Sequence, residues 1–86
     1  MIDCSHANSG KDPEKQPRVL RSVVNQKNNE NSSIVGFMVE SNLKSGSQKI
    51  PADLSELEYG VSITDPCVSW ETTEEMILQA YSSLKL

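Results

Sequence analysis

No run of apolar residues in this 86-residue chain approaches the roughly 18–20 needed to cross a bilayer, so the sequence offers no membrane span. Cysteine is scarce. Cys4 and Cys67 are too few for a disulfide framework, and a reducing, cytoplasmic setting is expected. Met1 is followed directly by Ile2, Asp3 and Cys4, without the basic and apolar regions of a secretory leader, and none is expected. Positive charge is short too. Eight Lys and Arg against 12 Asp and Glu leave a formal charge of −4, which disfavours nucleic acids and anionic membrane surfaces as partners. Aromatic residues are 5% and apolar residues 36%, low for a globular domain. Ordering a chain of this length costs on the order of 100 kcal/mol in conformational entropy. At about 25 cal/mol per Å², several thousand Å² of buried apolar surface must offset it. Small domains bury only about 60% of their unfolded surface, which implies marginal stability or membership of something larger.

What is present has a clear order. Met1-Ile2-Asp3-Cys4 reads as the end of a strand, and Ser5 to Asp12 as a turn in which Asn8 and Gly10 suit positive φ. Pro13 and Pro17 fit the entry and first turn of a helix predicted over residues 14–28. Val19, Leu20, Val23 and Val24 form its single apolar stripe. Ile34 to Val39 is apolar without alternation, the pattern of a parallel strand covered on both faces, and it closes on Glu40. Ser41 to Gly60 is a polar connection long enough to suggest a functional loop. Val61 to Asp65 is a short β-like piece stopped by Pro66. Thr72 and Glu75 match a capping box, with Ser69 as an alternative cap. Met76, Ile77, Ala80, Tyr81 and Leu84 then predict an amphipathic helix running to the C-terminus, with Trp70 at its entry expected in the core.

A strand–helix–strand order implies a right-handed crossover between parallel strands. A two-stranded parallel sheet leaves two open edges, so the expected architecture is a slice of a larger α/β protein, a barrel or a doubly wound sheet.

Groups able to do chemistry fall just after each β-like piece: Asp3 and His6, then Glu40, then Asp65. In parallel α/β folds the C-terminal strand ends form the ligand-binding rim. Strands about 4.8 Å apart allow groups from three such ends to converge. One imidazole and two carboxylates suit a divalent Mn, Fe, Co or Zn. Each group also has a plainer role. His6 fits a surface loop or turn cap, Glu40 a partner for a buried base, and Asp65 a turn initiator before Pro66. Asp3 fits a ligand or an acceptor that orients a histidine. Cys4 and Cys67 lack the spacing of a structural zinc site, and Lys11, Lys44 and Lys49 fit solvated loop residues.

Three segments together resemble one family: Met1-Ile2-Asp3-Cys4-Ser5-His6-Ala7-Asn8-Ser9, Gly36-Phe37-Met38-Val39-Glu40-Ser41-Asn42-Leu43, and Tyr59-Gly60-Val61-Ser62-Ile63-Thr64-Asp65-Pro66-Cys67 running on to Trp70-Glu71. In identity, order and spacing they resemble the C-terminal quarter of type I 3-deoxy-D-arabino-heptulosonate 7-phosphate (DAHP) synthase, the first enzyme of the shikimate route to the aromatic amino acids. The resemblance implies an α/β fold in which residues 1–86 form the last two β/α units of a (β/α)8 TIM barrel, incomplete as an isolated chain. It implies a metal-dependent, aldol-type condensation of phosphoenolpyruvate with erythrose 4-phosphate. It also implies a cytoplasmic homo-oligomer as the full-length enzyme.

In the family a divalent metal is held by the histidine of a DxSHxN segment, the glutamate of an MxES segment and the aspartate of an SxTDxC segment. These match His6, Glu40 and Asp65. The family's fourth ligand, a cysteine, and most of its phosphate-binding Arg and Lys residues come from segments with no counterpart here. Two strands cannot close a barrel of about 250 residues, so the lone chain is expected to lack synthase activity. Pro66 stands where many members carry alanine, and the Asn- and Ser-rich stretch replaces the usual ending of the first helix. Two other functions stay open: a non-catalytic fragment that docks on a full-length synthase, and a small autonomous metal-binding protein.

Overall fold

The computed structural model describes residues 1–84. Strand β1, Ile2–Asp3, pairs in parallel with β2, Phe37–Met38, with Ile2 opposite Phe37 and Asp3 opposite Met38. The backbone amides of Ile2 and Cys4 donate to the carbonyls of Gly36 and Met38 at 3.0 and 2.8 Å. The parallel pairing is as expected, but the strand is much shorter than the apolar run Ile34 to Val39. With a single neighbouring strand, only the middle of the run finds ladder partners. Ile34 is buried, whereas Val35 is 81% exposed, so one side of the run lies open among the described residues.

The segment read as a turn carries a one-turn helix, α1, His6–Ser9. It ends on Gly10 in the left-handed region (φ +63°), where the amides of Gly10 and Lys11 close back onto Ala7 and His6. His6 and Lys11, not Asn8, are the other residues here with positive φ. Asp12 then caps a 3-10 turn, Pro13–Lys15, by accepting from the Glu14 amide at 3.0 Å. Helix α2, Gln16–Asn28, follows without a break, close to the predicted bounds. Its Leu20, Val23 and Val24 face one buried cluster with Cys4, Ile34, Val68 and Met76. Burial of this kind contributes about 1.5–3 kcal/mol per large aliphatic side chain, and it is what holds α2 across the strand pair.

The connection from Ser41 to Gly60 is irregular apart from a 3-10 turn, Leu54–Glu56, capped by Asp53. Val61 to Asp65 is not a strand. Ser62 makes one isolated parallel bridge with Ser47, and the pairing instead falls later, with Cys67 opposite Gly46 and Val68 beside Ser41. Pro66 lacks the amide that a longer ladder would need. Helix α3, Trp70–Ser83, starts from Ser69, whose hydroxyl accepts from the Thr72 amide at 3.2 Å. The alternative cap is therefore the one used, and the Thr72–Glu75 box is not. The expected run of this helix through Leu84 to the C-terminus is not met: α3 ends at Ser83 and Leu84 is its extended C-cap, while Lys85 and Leu86 lie outside the described residues. Met76 is buried as expected, but Trp70 is 54% exposed and does not join the core. As the first helical residue it projects from the end of α3, where the cluster does not reach.

The radius of gyration is 14.8 Å, against about 12 Å for a compact domain of this length. An extended outline with Val35, Tyr81 and Leu78 exposed matches the marginal burial expected from composition. Among the described residues, no helix is long and apolar enough to cross a membrane.

Candidate metal centre

The three side chains singled out after the β-like pieces meet. One ligand-type atom from each of His6, Glu40 and Asp65 lies within 4.8 Å of the others. The His6 Nε2 stands 2.9 Å from Glu40 Oε1 and 3.0 Å from Asp65 Oδ2. His6 reaches this point because the chain leaves β1 and turns at once: its own φ is +48°, a left-handed conformation that costs a non-glycine residue about 1–3 kcal/mol. Glu40 stands two residues past the end of β2, and Asp65 closes the Val61 to Asp65 piece that follows the long connection.

Asp3 organises the near side. Its Oδ1 accepts from the amide and hydroxyl of Ser5, both at 2.7 Å, and its Oδ2 lies 2.7 Å from His6 Nδ1. Of the two readings open for Asp3, the acceptor that orients the histidine matches this geometry. The Ser5 hydroxyl and then His6 hold the Asp3 carboxyl below the usual carboxylate range. The same Asp3 hydrogen bond raises the His6 imidazole above its ordinary value, against a partial loss of solvent and with help from the charge of Glu40. The Nδ1–H donates to Asp3, and the raised imidazole carries a second proton on Nε2 that faces Glu40 and Asp65; once that proton leaves, Nε2 offers its lone pair at the same point.

The donor set fits a divalent cation. His6, Glu40 and Asp65 would hold it, each offering one donor atom within 4.8 Å of the others. Among the described residues no Lys or Arg pairs with Asp3, Glu40 or Asp65, so three carboxylates face one imidazole without a fixed counter-charge. A dication would balance them. Oxygen and imidazole donors select Mn, Fe, Co or Zn over soft-metal chemistry.

The cysteines are unsuited to extend this set. Cys4 is fully buried, and burial pushes its thiol up to about 11. Burial raises Cys67 as well, and its Sγ lies 3.5 Å from the Asp65 carbonyl. Lys11 lies beside the cluster, in a recess lined also by Ser9, Pro13, Gln16 and Pro66. Lys44 pairs with Glu58 at 3.4 Å, as a solvated loop lysine does. The residue that the residue pattern did not single out is Gln16. It is buried against the backbone of Glu40, and its one sequence signal is a polar side chain one turn before Leu20 on the apolar face of α2.

The DAHP synthetase I family matches residues 1–78. The chain is 48% identical over 84 residues to the Tyr-sensitive phospho-2-dehydro-3-deoxyheptonate aldolase of Escherichia coli K12, covering 98% of this chain and 24% of that protein. It is 55% identical over 80 residues to the tyrosine-inhibited aldolase of the same name from Candida albicans, covering 90% and 22%. The fold superposes on the solved phospho-2-dehydro-3-deoxyheptonate aldolase of Francisella tularensis SCHU S4 with a TM-score of 0.86 and 40% identity, over 96% of this chain and 24% of that one. The chain thus spans about a quarter of the length of the curated relatives it matches. The match over residues 1–78 and the identity to these relatives along nearly the whole chain lead to one conclusion: the chain belongs to the DAHP synthetase I family.

Proposed function

We propose that this chain is the C-terminal portion of a type I DAHP synthase, supplying the last two β/α units of a (β/α)8 barrel and three metal ligands, His6, Glu40 and Asp65. The reaction is the condensation of phosphoenolpyruvate with erythrose 4-phosphate. The observation that carries the reading is the meeting of three donors from separate stretches of the chain at the C-terminal end of a parallel strand pair. In parallel α/β folds that end is the catalytic one. A bound divalent cation supplies Lewis-acid polarisation of the tetrose phosphate's aldehyde. Asp3 keeps the His6 Nδ1 proton in place, so that Nε2 stays a donor toward the cation. Glu40 and Asp65 supply the negative charge that retains it.

The half-exposed state of this cluster supports a site whose remaining walls come from elsewhere, and the lone chain is proposed to be inactive. The phosphate clamps and a fourth ligand belong to the rest of the barrel. The full-length enzyme is proposed to be a cytoplasmic homo-oligomer.

The test joins residues 1–86 to the remaining three quarters of the Escherichia coli relative, replacing its matching segment. The expected result is a metal-containing, active chimera that loses both cation and turnover on His6→Ala, Glu40→Ala or Asp65→Ala. Unchanged turnover and cation content in those variants refute the reading. One observation favours a second reading, an autonomous metal-binding protein: the donors are already assembled within this chain. Mn²⁺ titration of the 86-residue chain decides it, since that reading requires affinity well above that of the His6→Ala variant.

A further inference from the structure

We propose that Gln16 is the positioning residue for Glu40, holding the backbone of this metal ligand through a two-point clamp. The proposal rests on the metal-site reading above. The Gln16 Oε1 accepts from the Glu40 amide at 3.0 Å, and the Gln16 Nε2 donates to the Glu40 carbonyl at 3.2 Å. The side chain is 1% exposed, and these two bonds engage both ends of its carboxamide.

The placement has a structural reason. Along the strand pair, Ile2 bonds to Gly36 and Cys4 to Met38. The next acceptor of that series is the Glu40 carbonyl, and the Glu40 amide beside it also needs a partner, but the first strand has by then turned away into Ser5 and His6. Gln16 stands in for the missing strand with the donor and acceptor of its amide. The Val68 amide donates to the same Glu40 carbonyl at 3.0 Å from the other side. Glu40 is thereby fixed at its backbone, and its carboxylate is delivered 2.9 Å from His6 Nε2.

A leucine at this point of α2 would extend the apolar stripe and pack as well. Only an amide satisfies a peptide amide and a peptide carbonyl together. Groups that hold a metal ligand without touching the metal typically change metal affinity by about 10–100-fold when removed.

The test uses Co²⁺, whose visible absorption bands report ligand number and geometry, on the chimera that joins residues 1–86 to the rest of the barrel. Gln16→Leu keeps the side-chain volume and removes both bonds. It is expected to weaken Co²⁺ binding by about 10–100-fold and to move the spectrum of the bound form toward that of Glu40→Gln. Val24→Ala loosens the same helix without touching Glu40, and its bound form is expected to keep the parent spectrum. A Gln16→Leu variant with the parent's affinity and spectrum, or one that shifts the spectrum no more than Val24→Ala, overturns the proposal. A parent chimera that binds Co²⁺ no better than its His6→Ala variant overturns the metal-site reading instead. Hydrogen exchange at the Glu40 amide then decides the clamp: about tenfold or greater acceleration in Gln16→Leu upholds it, and unchanged exchange refutes it.

Discussion

Replacing Leu20 and Val35 by alanine, one at a time, separates the part of this chain that is packed from the part that is merely apolar. Both residues belong to runs that read as core in the sequence. In the fold, Leu20 is 2% exposed within the cluster of Cys4, Val23, Val24, Ile34, Val68 and Met76, whereas Val35 is 81% exposed. Leu20→Ala removes buried methyl groups and leaves a void that neighbours fill only in part, at a cost of about 2–5 kcal/mol. A domain of this length has about 4–13 kcal/mol of total stability, so this single change takes a large share of it. With a urea dependence of about 1 kcal/mol per M, the unfolding midpoint drops by about 2 M or more. Val35→Ala removes little buried surface and stays within about 0.5 kcal/mol. Urea titration followed by far-ultraviolet circular dichroism measures both. Equal losses for the two variants would refute the packing described here. A Val35→Ala loss that appears only in the chimera with the rest of the barrel would instead mark Val35 as a contact for the missing strands.

The pH dependence of stability carries a sign that metal reverses. His6 is raised above 6.5 by Asp3, so its contribution to the metal-free fold is complete below that value and is lost as pH rises through the higher folded value. Melting temperatures of the metal-free chain should therefore fall across the window just above pH 6.5, while with Zn²⁺, which takes only the neutral imidazole, they should rise; a metal-free rise contradicts the assignment. Asp3 works the other way, since its contribution is present above 3.8 and disappears as pH falls below it, which metal-free melts of Asp3→Asn at acidic pH would reveal by their flatter profile. At the start of α3, Ser69→Ala should cost about 1 kcal/mol in chemical denaturation and Glu75→Ala only a few tenths, an order that the capping-box alternative would invert.

How far the chain could be read in advance depended on whether the signal was local. The α2 stripe at Val19, Leu20, Val23 and Val24 and the proline-marked entry of the helix are local, and α2 appears within two residues of its predicted start. The glycine that ends α1 is local too, although the helix before it was hidden, because Ser5 to Ser9 has the composition of a turn. Strand lengths were not legible. Ile34 to Val39 has the composition of a long covered strand, but ladder length depends on a partner strand, and the one at hand spans two residues. Trp70 failed for the same reason: an apolar side chain is buried only if something packs over it. Ser69 is the cap rather than Thr72 because the backbone is extended at Ser69 and already helical from Trp70, which puts Thr72 inside the first turn as the amide donor.

By itself the sequence determined which residue types stand at the ends of the β-like pieces, and so which atoms are on offer: one imidazole, two carboxylates and an aspartate to steady them. It also determined the family, since identity and spacing of short motifs survive without coordinates. Only the tertiary structure decided that the three donors come within 4.8 Å, that Asp3 takes the near side of the ring, and that Gln16 is turned inward onto Glu40. All but the Asp3–His6 contact are distances between residues far apart along the chain. They follow from how α2 and the strand pair pack together, which no local pattern encodes.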